Sequence, residues 1–274
     1  MTAVPDALIE QLVRFQHPDK LLWFAQDLDE ALVARLYGIG PDVYRSTRER
    51  LDAGTRAAAG ELLADEAFAR RVDRLPFTAD QTVLGLGDSM TDDAQSWLEI
   101  LRLLLAARRP AGRARLVNAG ISGDTTTQAL GRGTVLPAAR PDWVICLLGG
   151  NDARRLGPDP AKTLVSLDET VRNLEALRAL GGRVGARWVW ITPPTVNEER
   201  IAAHPVFAPS GMRWRNADVV AIGDAMLGMP DPVVDLRPVF GRPARPELVD
   251  PDGVHPSLRG QQAIARALVE ALAP

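Results

Sequence analysis

Apolar residues in the first 80 positions recur every three or four residues: Leu8, Leu12 and Phe15; then Leu21, Leu22, Phe24, Ala25 and Leu28; then Leu32, Leu36 and Tyr37. That spacing sets them along one stripe of an amphipathic helix. Gly38 and the pair Gly40-Pro41 interrupt it. A second helical stretch, rich in Ala, Arg, Glu and Leu, is predicted over about 42–74, and Leu75-Pro76 closes it. From residue 81 the pattern changes. Short apolar runs at 82–86, 115–118, 143–148, 188–192 and 233–236 alternate with helical periods near 95–108, 125–139, 161–180 and 213–227, and a last helix is predicted over 257–272. Strands that each lead into a helix need crossover connections, which pair the strands in parallel and lay helices over both faces of the sheet. The expected fold is α/β: a flavodoxin-like three-layer α/β/α sandwich with a five-stranded parallel sheet over 81–274, preceded by an N-terminal α-helical extension over 1–80.

Composition narrows the class. With 274 residues, 46% hydrophobic and 24% charged, the chain has the make-up of an ordinary folded enzyme, neither disordered nor fibrous. A net charge of -3 and arginines interspersed with acids give no basic field, so nucleic acid is not an expected partner. No basic segment leads into an apolar one at the N-terminus, and no run of 18 apolar residues occurs, so no integral membrane segment is expected and the cytoplasm is the expected address. The single cysteine, Cys146, lies in the run Trp143-Val144-Ile145-Cys146-Leu147-Leu148 and reads as a small buried hydrophobe. Three dispersed histidines offer no zinc-type spacing, and Gly85-Leu86-Gly87 lacks the third glycine of a dinucleotide loop because Met90 occupies that place. No metal or organic cofactor is expected.

Candidate chemistry lies in four ordered segments: Gly87-Asp88-Ser89, Asn118-Ala119-Gly120-Ile121-Ser122-Gly123, Gly149-Gly150-Asn151-Asp152 and Asp252-Gly253-Val254-His255. The first three end just beyond predicted strands, at the edge where open α/β sheets bind ligands. Ser89 at a strand-to-helix turn suits a nucleophile, and equally a helix N-cap. Asp252, three residues before His255 on a compact turn, can hold one imidazole nitrogen and leave the other free as a base; Asp252 and Ser257 also suit turn and cap roles. Asn151 and Gly123 can donate N–H groups to an oxyanion or simply form turns. Asp88, Asp124 and Asp152 are expected to cap helices or brace turns, and His17 and His204 to be solvated or structural.

Together the four blocks resemble the SGNH hydrolases, the GDSL-type esterase and lipase superfamily, over about 82–274. The likeness is closest to the bacterial thioesterase/lysophospholipase-like branch around Ser122-Gly123-Asp124 and Gly149-Gly150-Asn151-Asp152. It implies Ser89 as nucleophile, Asp252 and His255 as its triad partners, and an oxyanion hole formed by Ser89, Gly123 and Asn151. Met90 stands where the family usually has leucine, a near volume-conserving difference. The implied activity is hydrolysis of a small-molecule acyl ester or thioester through an acyl-enzyme; acyl transfer to a sugar, amine or carrier is the alternative, and a non-catalytic scaffold a third reading. The loop after the fourth strand, with Pro193-Pro194 and 204–212, is expected to wall the pocket. Val206, Phe207 and Met212 would face an acyl chain there, and Arg200, Arg213 and Arg215 an anionic head group. Nothing is implied for the extension, whose candidate roles are a lid, a homo-oligomer surface or a partner-docking module.

Overall fold

The computed structural model describes residues 4–22, 28–157, 159 and 161–273. Among these, the apolar runs form five strands: β1 Thr82–Gly87, β2 Arg115–Gly120, β3 Trp143–Leu147, β4 Arg187–Ile191 and β5 Val233–Val234. All neighbouring pairs are parallel, in the order β2-β1-β3-β4-β5. This is the flavodoxin order, whose ligand crevice lies at the β1/β3 switch point. Register makes that crevice compact: Gly87 pairs with Gly120 on one side and Leu147 on the other, so the loops leaving β1, β2 and β3 start level with one another.

Alternate strand residues face opposite layers, as a pleat requires. Val83, Ile145, Leu147, Val189 and Ile191 join one core with the helices Trp97–Arg108 and Leu258–Leu272. Leu84, Leu86, Val144, Cys146, Leu148 and Trp190 join the other with Leu167–Arg183 and Asn216–Leu227. Both faces are covered, which explains why the strands read as continuous apolar runs. The first core also takes in Ala58, Ala59 and Leu62 of the helix Pro41–Leu63 and Phe68 and Val72 of Glu66–Asp73, so the extension shares this core with the sandwich. No helix of the described residues is long and apolar enough to cross a membrane.

Several predicted spans shift at identifiable caps. The helix predicted over 42–74 breaks where Asp65 accepts from Ala67 N and Phe68 N and starts a new one. That over 125–139 divides into Thr126–Gly131 and Val135–Ala139 around Gly131 and Gly133. The helix predicted from residue 161 begins at Leu167 behind the Ser166 cap, because Leu164 N and Val165 N donate instead to Arg154 O and Asp152 O. β5 stops after Val234 as Leu236 N turns to Thr192 Oγ1. At the N-terminus, helices cover Asp6–Phe15, Pro18–Leu21 and Glu30–Leu36, whereas Phe24 and Ala25 of the predicted stripe lie outside the described residues.

Candidate active site

The chain leaves β1 through Asp88, whose Oδ1 accepts from Met90 N at 3.0 Å and caps the turn Ser89–Asp92. Capping therefore belongs to Asp88, and the Ser89 hydroxyl is left for His255, with Oγ 3.1 Å from Nε2. The other ring nitrogen, Nδ1, lies 2.5 Å from Asp252 Oδ2. Asp252 Oδ1 accepts from the N–H groups of Val254 and His255 at 2.8 and 2.9 Å, so the turn is wound around this carboxylate. Gly253 sits at φ +79°, and a Cβ there would fall 2.5 Å from Asn197 O, so glycine alone lets this turn dock. Ser257 caps the final helix, accepting from Gly260 N.

Burial disfavours a charged Asp252, but the neighbouring His255 charge and the hydrogen bonds outweigh it and hold the carboxyl at about 2. Burial also opposes a charged His255; the adjacent Asp252, its hydrogen bond and Asp250 outweigh that and raise the imidazole above its ordinary value. The ring thus has one nitrogen held as a donor and the other turned to Ser89 with increased basicity.

Beyond β2, Gly123 adopts φ +88°, a backbone conformation that side-chain-bearing residues rarely take. Beyond β3, buried Asn151 donates through Nδ2 to Asp124 O at 3.1 Å, and an amide nitrogen keeps a second hydrogen to offer. The remaining acids brace these loops. Asp152 accepts from Thr126 N and Thr170 Oγ1, both at 2.9 Å, and from Thr126 Oγ1. Asp124 pairs with Arg132. Asp88 is costlier to hold: its Oδ2 is buried without a partner, and burial pushes its pKa to about 7.

Ser89, Gly123, Asn151 and His255 line one cavity of about 370 Å³, a size suited to a small-molecule site. Phe207 and Met212 form part of its wall as expected, joined by Trp214. Val206 does not, being 64% exposed. Nor do the three arginines expected there: the Arg200 guanidinium donates to Pro246 O and Val249 O, and Arg213 and Arg215 are exposed away from the cavity. The arginine that lines it is Arg154. His204 stacks on Phe207 with ring centroids 4.3 Å apart.

The opposite wall is the part that sequence reasoning missed: Leu8, Leu12 and Phe15 of the helix Asp6–Phe15. Phe15 lies against the His255 ring, centroids 4.8 Å apart. Next to it, Arg14 is buried and reaches three places at once: Asp93 at 2.8–3.0 Å, Asp250 at 2.8 Å and Pro256 O at 3.0 Å. His17 and Lys20 converge on Asp92, whose Oδ2 accepts from Ser122 N and Oγ at 2.9 Å. The extension thereby grips the segment after Ser89, the turn before His255 and the loop before Gly123. Its periodicity announced an apolar face, but nothing local says what that face covers.

Residues 86–263 match the model of the GDSL-like Lipase/Acylhydrolase family. The chain belongs to this family and is a carboxylic ester hydrolase of the GDSL esterase type. It is 29% identical over 199 residues to "Thioesterase 1/protease 1/lysophospholipase L1" of Escherichia coli (strain K12), covering 72% of this chain and 85% of that protein. It is likewise 29% identical over 202 residues to "Esterase TesA" of Pseudomonas aeruginosa, covering 72% of this chain and 90% of the other. Among solved structures, Axe2, an acetylxylan esterase from Geobacillus stearothermophilus, superposes with a TM-score of 0.55 at 22% identity, over 73% of this chain and 97% of its own. LAE5, an alpha/beta hydrolase enzyme from the Lake Arreo metagenome, gives 0.55 at 24%, over 72% and 96%. At such identities the two structures speak for the fold.

Proposed function

We propose that this protein cleaves carboxylic esters or thioesters through an acyl-enzyme, with Ser89, His255 and Asp252 as the reacting triad. The observation that carries the reading is the continuous contact Asp252 Oδ2 to His255 Nδ1 at 2.5 Å and His255 Nε2 to Ser89 Oγ at 3.1 Å, opening into the cavity. Ser89 Oγ attacks the carbonyl carbon while His255 Nε2 takes its proton; Asp252 holds the tautomer and stabilises the imidazolium. The Ser89 and Gly123 amides and the Asn151 side chain receive the developing oxyanion. Collapse expels the alkoxide or thiolate, which leaves with the proton from His255, and water repeats the sequence to release the acid and free Ser89. Two relatives named for thioesterase and esterase activity support this choice of bond.

The test is hydrolysis of a p-nitrophenyl ester series, acetate to long acyl chains, by wild type and Ser89→Ala. Serine-dependent turnover is expected, with the variant reduced at least about a thousand-fold in kcat. Equal turnover by folded samples of both would remove Ser89 from the chemistry.

A further inference from the structure

Among the described residues, one cationic side chain in the active-site cavity has no counterion. Of the described residues lining the cavity, Arg154 alone carries a permanent charge, and none is Asp or Glu. Its Nε is buried without a hydrogen-bond partner. Burial also lowers the guanidinium's pKa, with no acidic neighbour offsetting it; an arginine nevertheless stays charged.

The other inward-facing arginines are treated differently. The next residue, Arg155, holds Asp218 through Nε and Nη2 at 2.8 Å each. Arg14 has Asp93 and Asp250, and Arg132 has Asp124. The acid nearest Arg154 in sequence, Asp152, is taken up by Thr126 and Thr170. Nor is the position a loose one. Arg154 N donates to Asn151 O at 3.2 Å and Arg154 O accepts from Leu164 N at 2.8 Å, so its backbone is pinned one turn beyond the Asn151 amide.

A half-buried charge among Phe207, Met212 and Trp214 carries a desolvation cost that none of the described residues offsets. A ligand oxyanion would offset it, because the planar guanidinium fork matches a carboxylate or a phosphate in two parallel hydrogen bonds. We propose that Arg154 makes this cavity selective for esters that carry a carboxylate or phosphate group besides the scissile bond. The proposal rests on the ester-hydrolase reading of the same cavity. The anion can belong to the acyl chain or to the leaving group, and the two placements are separable.

The experiment compares kcat/KM for charged and neutral partners in two pairs. On the acyl side the pair is p-nitrophenyl hydrogen adipate and p-nitrophenyl hexanoate; on the leaving-group side it is 4-carboxyphenyl hexanoate and phenyl hexanoate. Wild type, Arg154→Gln and Arg154→Lys are measured, and the change in charged-to-neutral ratio on substitution cancels intrinsic reactivity. Arg154→Gln should lower that ratio about 10- to 100-fold in one pair, and Arg154→Lys should retain part of the preference. Unchanged ratios in both pairs would overturn the proposal while leaving the hydrolase reading intact. If instead turnover proves independent of Ser89, the triad reading of this cavity fails, and calorimetric titration with adipate and with inorganic phosphate decides the Arg154 question separately. Binding by wild type that Arg154→Gln loses supports the site; equal binding, or none, by both overturns it.

Discussion

The strand-end loops and the N-terminal helices build the same cavity by different physics. The loops carry the groups proposed to react, and local rules place them: parallel register ends β1, β2 and β3 level, Asp88 caps the turn that presents Ser89, and Asp252 organises the turn that presents His255. The helices carry none of the proposed triad or oxyanion donors. They act through ion pairs and packing that join residues far apart in the chain, such as Arg14 with Asp93 and Asp250, and Phe15 with His255. Arg14 and Phe15 also lie outside the 86–263 span of the family match. A family motif can thus specify the chemistry while residues beyond it supply the wall and the rigidity that the chemistry needs.

The largest expected effect marks the catalytic side of that comparison. Asp252→Asn removes the charge that holds the His255 tautomer and should lower kcat about ten-thousand-fold. In the proposed triad the neutral imidazole is the active form and Asp252 raises its pKa, so wild-type kcat/KM should rise with pH through an inflection above 6.5, and the variant's inflection should move down. A profile unmoved by the substitution would detach Asp252 from the base.

Arg14→Ala tests the supporting side. It takes the cation from the fully buried Asp93 carboxylate, leaving only the neutral donors Gln95 N and Gln261 Nε2, and should cost about 3 to 5 kcal/mol in denaturant unfolding. Activity should fall with it, since Asp250 and Pro256 flank the His255 turn and both lose an anchor. Unchanged stability and kcat would make the extension a passive covering.

Asp88→Asn sharpens the contrast, because it probes a cost carried by the catalytic loops themselves. An acid near 7 in the folded state and 3.8 unfolded keeps its proton on folding, so wild type loses stability as pH rises from about 4 to about 7. Asparagine keeps the Met90 cap and cannot ionise. The variant should match wild type near pH 4 and exceed it at pH 8 by up to about 4 kcal/mol. An equal difference at both pH values would mean that Asp88 does not bear this burial cost.

Much of the core was legible because its signals are short-range. Apolar runs at 82–86 and 143–148 became β1 and β3, and Ser257, a cap candidate in the sequence, caps the last helix. Ser89, Gly123, Asn151 and His255 do meet in one cavity. The pocket wall was less legible. Arg200, Arg213 and Arg215 stood near the apolar loop in sequence, yet the one guanidinium lining the cavity belongs to Arg154, because backbone carbonyls hold Arg200 and the other two face outward.

Periodicity, turn chemistry and caps act within a few residues, and through them the sequence by itself determined the strands, the doubly covered sheet and the candidate groups gathered at its edge. Tertiary structure alone decided that Phe15 closes over His255, that Arg14 joins segments 79 and 236 residues away, and that Arg154 faces the cavity with no carboxylate among the described residues lining it. The physical reason is that burial and charge pairing are properties of neighbours in space, and no pattern along the chain specifies which distant side chain fills a given gap or leaves a charge unmatched.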